Sequence, residues 1–227
     1  MKSVPVNPGG PNGFLLVDKP SGPTSHDVVD MTRRALRTRK VGHAGTLDPF
    51  ASGLLLIAVG RMTKEISKFV GLDKEYLAKL KLGAKSDTMD RTGKIEQKEC
   101  AAVSEEAFAA VLERFRGEID QLPPMYSAKK IGGRKLYELA REGKEIERKP
   151  VRVTIHTLEL LSYSWPYAEL RVRVSSGTYI RALADDIGTA LGCGAYLEEL
   201  RRTKIGAFDV KDAADPKSIT TERLFIP

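Results

Sequence analysis

The chain has 227 residues, enough to bury a substantial core as one large domain or two small ones, and its 37 Lys and Arg against 30 Asp and Glu leave a net charge of +7. Its two cysteines, Cys100 and Cys193, are far apart in sequence, which argues against a disulfide framework or a thiolate zinc site and suits a reducing cytoplasm. No apolar run approaches the length that spans a bilayer, and the stretch from Met1 to Pro11 has no apolar core like that of a signal peptide, so residues 1–12 are expected to be a flexible tail.

Gly13 to Lys19 reads as a short strand, broken by Pro20-Ser21-Gly22-Pro23. Thr24 or Ser25 is placed to cap a helix in which Val28, Val29, Thr32, Ala35 and Leu36 recur at helical spacing. Arg33, Arg34, Arg37, Arg39 and Lys40 give that helix a basic outer face. The octamer Gly42-His43-Ala44-Gly45-Thr46-Leu47-Asp48-Pro49 follows, and read alone it is an ordinary Asp-Pro turn. It leads into Gly53-Leu54-Leu55-Leu56-Ile57-Ala58-Val59-Gly60, an apolar run bounded by glycines that fits a strand covered on both faces. Asp48 is thus expected on a loop with a rigid support.

Thr63 to Val70 reads as a helix ending at Gly71. Tyr76, Ala78, Leu80 and Leu82 alternate with Leu77, Lys79 and Lys81, the period of a half-buried strand that Tyr76 opens. Asp87 to Gly93 is a polar loop, in which Asp87 and Asp90 fit a capped turn better than a magnesium site. Ser104 caps a helix with the stripe Phe108, Val111, Leu112 and Phe115. From Leu122 to Pro150 the composition shifts to paired prolines and glycines with Lys129, Lys130, Arg134, Lys135, Arg141, Lys144, Arg148 and Lys149 interleaved with Tyr126 and Tyr137. Cations with aromatic rings between them suit a nucleic-acid backbone and its bases, so this stretch is expected to be a basic insertion projecting from the core.

Strands are expected again from Val151 to Leu161 and Tyr167 to Val174, then a helix with the stripe Ile180, Leu183, Ala184, Ile187 and Leu191. Arg181 falls in its first turn, at the positive end of the helix dipole, where a nearby anion is the natural compensation. Strands and helices mix without regular βαβ alternation, which gives the α+β class. His26, His43 and His156 have no metal-ligand spacing, and no phosphate-loop or dinucleotide signature occurs, so neither metal nor cofactor is implied. What remains is a lone carboxylate, Asp48, with His43, Tyr76 and Arg181 as candidate partners and a basic surface suited to a polyanion.

These residues fall into ordered blocks: Lys19-Pro20-Ser21-Gly22-Pro23-Thr24-Ser25; the octamer extended through Ala51-Ser52-Gly53; Lys74-Glu75-Tyr76 with Leu82-Gly83; Ser176-Gly177-Thr178-Tyr179-Ile180-Arg181 with Leu183-Ala184 and Asp186-Ile187-Gly188; and Leu200-Arg201-Arg202-Thr203 with Gly206 and Phe208. In these the chain, from about Gly13 to Phe208, closely resembles the TruB-type pseudouridine synthases, bacterial enzymes that isomerise the T-loop uridine at tRNA position 55. The resemblance implies a pseudouridine synthase fold with a central mixed, mainly antiparallel sheet flanked by helices, occupying 13–212, with 122–150 as a thumb-like insertion. It implies Asp48 as the catalytic aspartate, Arg181 as its ion-pair partner and Tyr76 as the ring stacked on the target base. His43 would lie near the flipped nucleotide, with Lys19, Tyr179, Leu200, Gly45 and Thr46 as further substrate contacts and Lys129, Lys130, Arg134 and Arg141 on the RNA. It implies tRNA as partner, no cofactor, no metal, no membrane and a monomer. Two departures stand out: Ala44 replaces a threonine common in the family, and residues 213–227 form only a short segment where relatives continue into a small RNA-binding domain. An RNA chaperone and a carboxylate hydrolase of N-glycosidic bonds are the competing readings.

Overall fold

The computed structural model describes residues 10–127, 130–144 and 146–227, so most of the expected tail and Lys129 lie outside the described residues. In chain order the elements are β1 (Gly13–Lys19), α1 (Ser25–Ala35), β2 (Val41–His43), β3 (Ser52–Val59), α2 (Ser67–Val70), β4 (Lys74–Leu82), β5 (Ala84–Ser86), β6 (Ile95–Gln97), α3 (Glu105–Leu112), β7 (Gly117–Gln121), β8 (Lys130–Ile131), β9 (Arg134–Lys135) and α4 (Leu136–Arg141). They continue with β10 (Val151–Ser164), β11 (Tyr167–Val174), α5 (Ile180–Ala190), β12 (Ala195–Ile205) and β13 (Phe208–Asp209). The class is the expected α+β, with described strand pairs mainly antiparallel and β3 parallel to β12. The chain divides into two compact units, Met1–Tyr76 with Leu200–Pro227 and Leu77–Glu199, and it crosses between them inside β4 and β12.

The first unit is organised around β3. One edge of β3 is covered along its length by antiparallel β1, from Gly13 opposite Val59 to Lys19 opposite Gly53. The other edge takes β2 at one end, where His43 faces Ile57, and β12 at the other, where Arg202 pairs with Gly53. The alternation of the apolar run then fills two cores. Leu55, Ile57 and Val59 join Val28, Val29 and Leu36 on the α1 side, while Leu54, Leu56 and Ala58 join Phe14, Ala44 and Ile205 on the other. This is the strand covered on both faces that the sequence implied.

Helix α1 starts where its chemistry places it. Thr24 is the N-cap, its side chain accepting from the Asp27 amide while the Asp27 carboxylate accepts from the Thr24 amide. The helix ends earlier than the basic pattern suggested. Leu36 is its C-cap and Arg37 has φ 50, so Arg37, Arg39 and Lys40 lie on the turn beyond it. The expected helix from Thr63 is a 3-10 turn over Gly60–Glu65 followed by the single turn α2, and Met62, Ile66 and Phe69 pack onto the core from this segment. The C-terminal segment also belongs to this core. Phe225 exchanges two backbone hydrogen bonds with Phe14, and Ile219, Leu224 and Phe225 are buried. Asn12, at the end of the expected tail, accepts a 2.7 Å bond from the Arg61 amide.

In the second unit the strand order is β4, β11, β10, β7. Residues of β11 alternate strictly between exposed and buried, with Ala168, Leu170, Val172 and Val174 inside, and α3 packs on β10 and α5. Strand β7 begins at Gly117, after a 3-10 turn over Glu113–Phe115 that follows α3. The insertion contains the hairpin β8–β9, turning through Gly132 and Gly133 at positive φ, and then α4, whose Leu136 and Leu139 are buried.

A Cβ on Gly53 would lie 2.2 Å from the Arg202 carbonyl oxygen and 2.6 Å from its nitrogen, at a φ of +106. Backbone cannot yield there, so Gly53→Ala is expected to cost about 3 kcal/mol or more, read as a melting temperature lowered by ~6–12 °C; an unchanged melt would show that the strands are not locked at this point.

Candidate active site around Asp48

The loop from 44 to 51 leaves β2 and enters β3, and its backbone is fixed at nearly every step. The Ala44 amide donates to the Leu56 carbonyl at 2.8 Å, and Gly45 turns the chain at φ +93. Leu47 is buried, and both its polar backbone groups go to one side chain: its amide donates to Ser25 Oγ at 2.8 Å and its carbonyl accepts from that hydroxyl at 3.0 Å. The Asp48 carbonyl accepts from the Ala51 amide at 3.1 Å, the Pro49 carbonyl from the Gly22 amide at 2.8 Å, and the Phe50 carbonyl from Ser21 Oγ at 2.8 Å. Asp48 is thus half-buried at the apex of a turn with little freedom, while Thr46 beside it is exposed.

Two buried cations complete this scaffold. Lys19 is fully buried, and its ammonium donates to the carbonyls of Pro20 (2.8 Å), Pro23 (2.8 Å) and Pro49 (3.2 Å). Burial lowers its pKa to about 8, against the pull of the Asp48 charge. Arg202 is 1% exposed, and its guanidinium reaches the carbonyls of Leu54 (2.7 Å), Gly45 (3.1 Å) and Thr46 (3.4 Å). His43 is half-buried at the end of β2, with Nδ1 buried and lacking a well-aligned hydrogen bond among the described residues. Burial first, then the Arg202 charge, hold its pKa below the usual 6.5, which keeps the ring neutral at pH 7.

The remaining expected residues of the first unit stand on its strands. Tyr76 is 8% exposed on β4 and Leu200 is 8% exposed on β12. Glu75, next to Tyr76, accepts from Thr203 Oγ1 at 2.8 Å and pairs with Lys204 at 3.6 Å.

Tyr179 and Arg181 belong to the second unit. Tyr179 is the N-cap of α5 without a capping side chain of its own, and Gln121 supplies the missing partners, accepting from the Tyr179 amide at 2.8 Å and donating to its carbonyl at 3.0 Å. The anion expected near Arg181 is present: Asp90 lies 3.3 Å from its guanidinium, both side chains buried, and the same guanidinium donates to the carbonyls of Thr88 (3.0 Å) and Tyr126 (2.7 Å). Asp90 also closes the expected capped turn, its Oδ1 accepting from the Thr92 amide and from the Thr88 and Thr92 hydroxyls. A turn reading of that loop accounts for the cap but not for the ion pair, since residues 90 and 181 have no sequence relation.

On the insertion, Lys130 lies in β8, Arg134 in β9 and Arg141 at the end of α4, whereas Lys129 is outside the described residues. Arg134 pairs with Glu142, which also holds Lys144 at 2.9 Å, and these bonds pull the Glu142 pKa down to about 2. Arg148 donates to the Pro123 carbonyl at 3.0 Å. The sequence did not assign a role to Ser25 as a loop anchor, to Gln121 or to Arg202; Ser25 carried a signal as a candidate helix cap and Arg202 as part of the block Leu200-Arg201-Arg202-Thr203, whereas Gln121 carried none.

Residues 33–180 match the TruB family pseudouridylate synthase N-terminal domain, and residues 181–224 match the tRNA pseudouridylate synthase B C-terminal domain. Among curated relatives, the tRNA pseudouridine synthase B of Azoarcus sp. is 55% identical over 202 residues, 89% of this chain and 67% of the relative. That of Protochlamydia amoebophila is 45% identical over 221 residues, 97% of this chain and 84% of the relative. Among solved structures, a Cbf5–Nop10–Gar1 complex superposes with a TM-score of 0.72 at 30% identity, and an H/ACA RNP bound to a substrate RNA containing 2′-deoxyuridine with 0.68 at 28%. Each covers 95% of this chain, which spans about three fifths of those longer chains, 62% and 58%. On the family match and these identities, the chain belongs to the TruB family of pseudouridylate synthases and is an isomerase.

Proposed function

We propose that the chain converts uridine to pseudouridine at position 55 in the T loop of tRNA, with Asp48 as the reacting carboxylate on a base flipped out of its stack. The observation that carries this reading is how firmly the Asp48 loop is held: a half-buried carboxylate whose neighbouring backbone is hydrogen-bonded from Ala44 to Ala51 and whose charge acts on the buried Lys19 ammonium. A carboxylate held in one place can meet a bound nucleotide without reorganisation.

The reaction breaks the bond from the ribose anomeric carbon to uracil N1, turns the base, and joins the same carbon to C5; the C5 proton leaves to solvent and N1 takes one up. Atoms balance within the substrate, so no redox partner or energy source enters. Asp48 can serve by attack at the anomeric carbon, by addition at C6, or by taking the ribose C2′ proton toward a glycal. Flipping costs a few kcal/mol, and stacking inside the protein offsets it. Tyr76 is the proposed stacking ring, with neutral His43 as a second planar surface and Tyr179, Leu200, Gly45 and Thr46 as further contacts. From the family resemblance, Arg181 is the proposed counter-ion of Asp48. The relatives' activity on tRNA and the net charge of +7 support a polyanionic substrate.

A T-loop RNA tritiated at uracil C5 separates this reading from its competitors. Isomerisation releases tritium from an intact strand, hydrolysis leaves an abasic site, and a chaperone does neither. Asp48→Asn is expected to lower release by about 10³-fold or more while RNA affinity stays within a few fold; release at the parental rate would remove Asp48 from the chemistry. Tyr76→Leu is expected to lose the base-stacking ring and with it about 1–3 kcal/mol of substrate interaction, seen as weaker binding of the flipped-base complex by fluorescence of a 2-aminopurine neighbour. Replacing Lys129, Lys130 and Arg141 by Ala should weaken binding uniformly across RNA sequences and reduce the slope of log K against log salt by about 1 for each phosphate no longer neutralised; a slope that does not move would exclude the insertion from the RNA interface.

A further inference from the structure

We infer that Arg202 is a positioning residue for Asp48: its buried guanidinium stands in for a missing stretch of strand along β3 and fixes the loop that carries the carboxylate. The inference rests on the reading of Asp48 as the reacting group.

On the edge of β3 opposite β1, β2 pairs with Val59 to Ile57 and β12 with Gly53 and Ser52, which leaves residues 54–56 between two partners that do not meet. Buried carbonyls in such a gap need donors. The Leu56 carbonyl takes the Ala44 amide at 2.8 Å, and the Leu54 carbonyl takes Arg202 Nε at 2.7 Å. The other end of the same guanidinium reaches the Gly45 and Thr46 carbonyls at 3.1 and 3.4 Å. One side chain therefore ties the strand after Asp48 to the turn before it, and the length of the loop between them is set by the planar fork.

The backbone that carries Arg202 is itself clamped. Arg201 makes a two-bond pair with Asp18 at 3.0 and 2.6 Å, Thr203 bonds Glu75, and the Arg202 backbone lies so close to Gly53 that no side chain fits between them. No carboxylate pairs with Arg202 among the described residues, so its charge is left to act on its surroundings, and it lowers the pKa of His43, Lys19 and Lys74. Lysine could keep the charge at this position but not three divergent donors in a plane.

Arg202→Lys is the discriminating variant, assayed at 25 °C with its fold checked by thermal melting. The expected result is a single-turnover rate of tritium release lowered about 30-fold, the scale of a small misplacement of a reacting group, with the Kd for T-loop RNA within threefold. A merely structural role would lower the melting temperature and leave that rate unchanged, and an unchanged rate overturns the inference, as does a rate loss matched by an equal loss of RNA affinity. Arg202→Met, which removes the charge too, should move the NMR titration of His43 up toward its ordinary value, while Arg202→Lys should not. Should neither variant fold, the unsubstituted protein still decides. Arg202 Nη protons held on the loop carbonyls should give separate, slowly exchanging NMR signals, and one averaged, fast-exchanging signal overturns the proposal. Asp48→Asn assayed beside them keeps the two ideas apart: tritium release by that variant defeats the reading of Asp48, whereas the Arg202 signals do not depend on it.

Discussion

The close approach of β3 and β12 at Gly53 and Arg202 is the constraint on which the first unit depends. Parallel strands can come this near only where one lacks a side chain, and the φ of +106 at Gly53 excludes most other residues as well. Once the pairing is set, the register of β12 follows. Arg201 meets Asp18, Thr203 and Lys204 meet Glu75, and Arg202 turns inward toward the Asp48 loop. A slip by one residue would send the guanidinium to the opposite face and leave the Gly45, Thr46 and Leu54 carbonyls without donors.

The unit is also organised by buried cations held on carbonyls. Lys19, Lys74 and Arg202 each donate to two or three backbone oxygens, Lys74 to those of Val70 and Leu72 at 2.5 and 2.6 Å. Carbonyl dipoles satisfy the donors but neutralise no charge, so the region stays positive. An ionised carboxylate and an incoming phosphodiester are both favoured in such a field, whereas a protonated imidazole is not, and burial first and then the Arg202 charge lower the His43 pKa. The second unit solves its own case with a carboxylate. Arg181 sits where the α5 dipole repels it, and buried Asp90 compensates.

Periodicity made much of this legible in the sequence, because β3, β4, β11 and α5 bury side chains in patterns that their own residues repeat. Thr24 or Ser25 and, further on, Ser104 announced helix starts through local capping chemistry. The candidate site was legible as residue types, through the blocks around Asp48, Tyr76 and Arg181. What escaped were partnerships between residues distant in sequence. Asp90 with Arg181, Ser25 with Leu47 and Arg202 with Gly45 depend on the fold and leave no local trace. Strand β12 escaped for a related reason: Glu198, Glu199, Arg201, Arg202 and Lys204 give it a polar composition, and its charges are accommodated by particular partners rather than by solvent alone. Residues 213–227 read as a short appendage because Ile219, Leu224 and Phe225 are too sparse to show a period, yet they complete the core beside β1.

The insertion follows a different logic from the buried cations. Arg134 and Lys144 share Glu142, whose pKa of about 2 keeps it ionised at neutral pH. Both cations are exposed, so water and salt screen this cluster and it contributes little to stability. Its effect on the proposed partner is a matter of exchange. A phosphate that engages Arg134 must take it from a carboxylate already in place, so the gain is the difference between two ion pairs rather than a whole one. Lys130 and Arg141 flank the same segment on β8 and α4, and the affinity of the insertion for a polyanion then follows from how many of its cations are already committed. On the proposed reading of the insertion as an RNA contact, the charge count from Leu122 to Pro150 is an upper bound on its hold on RNA, and Glu142 is a residue that lowers it.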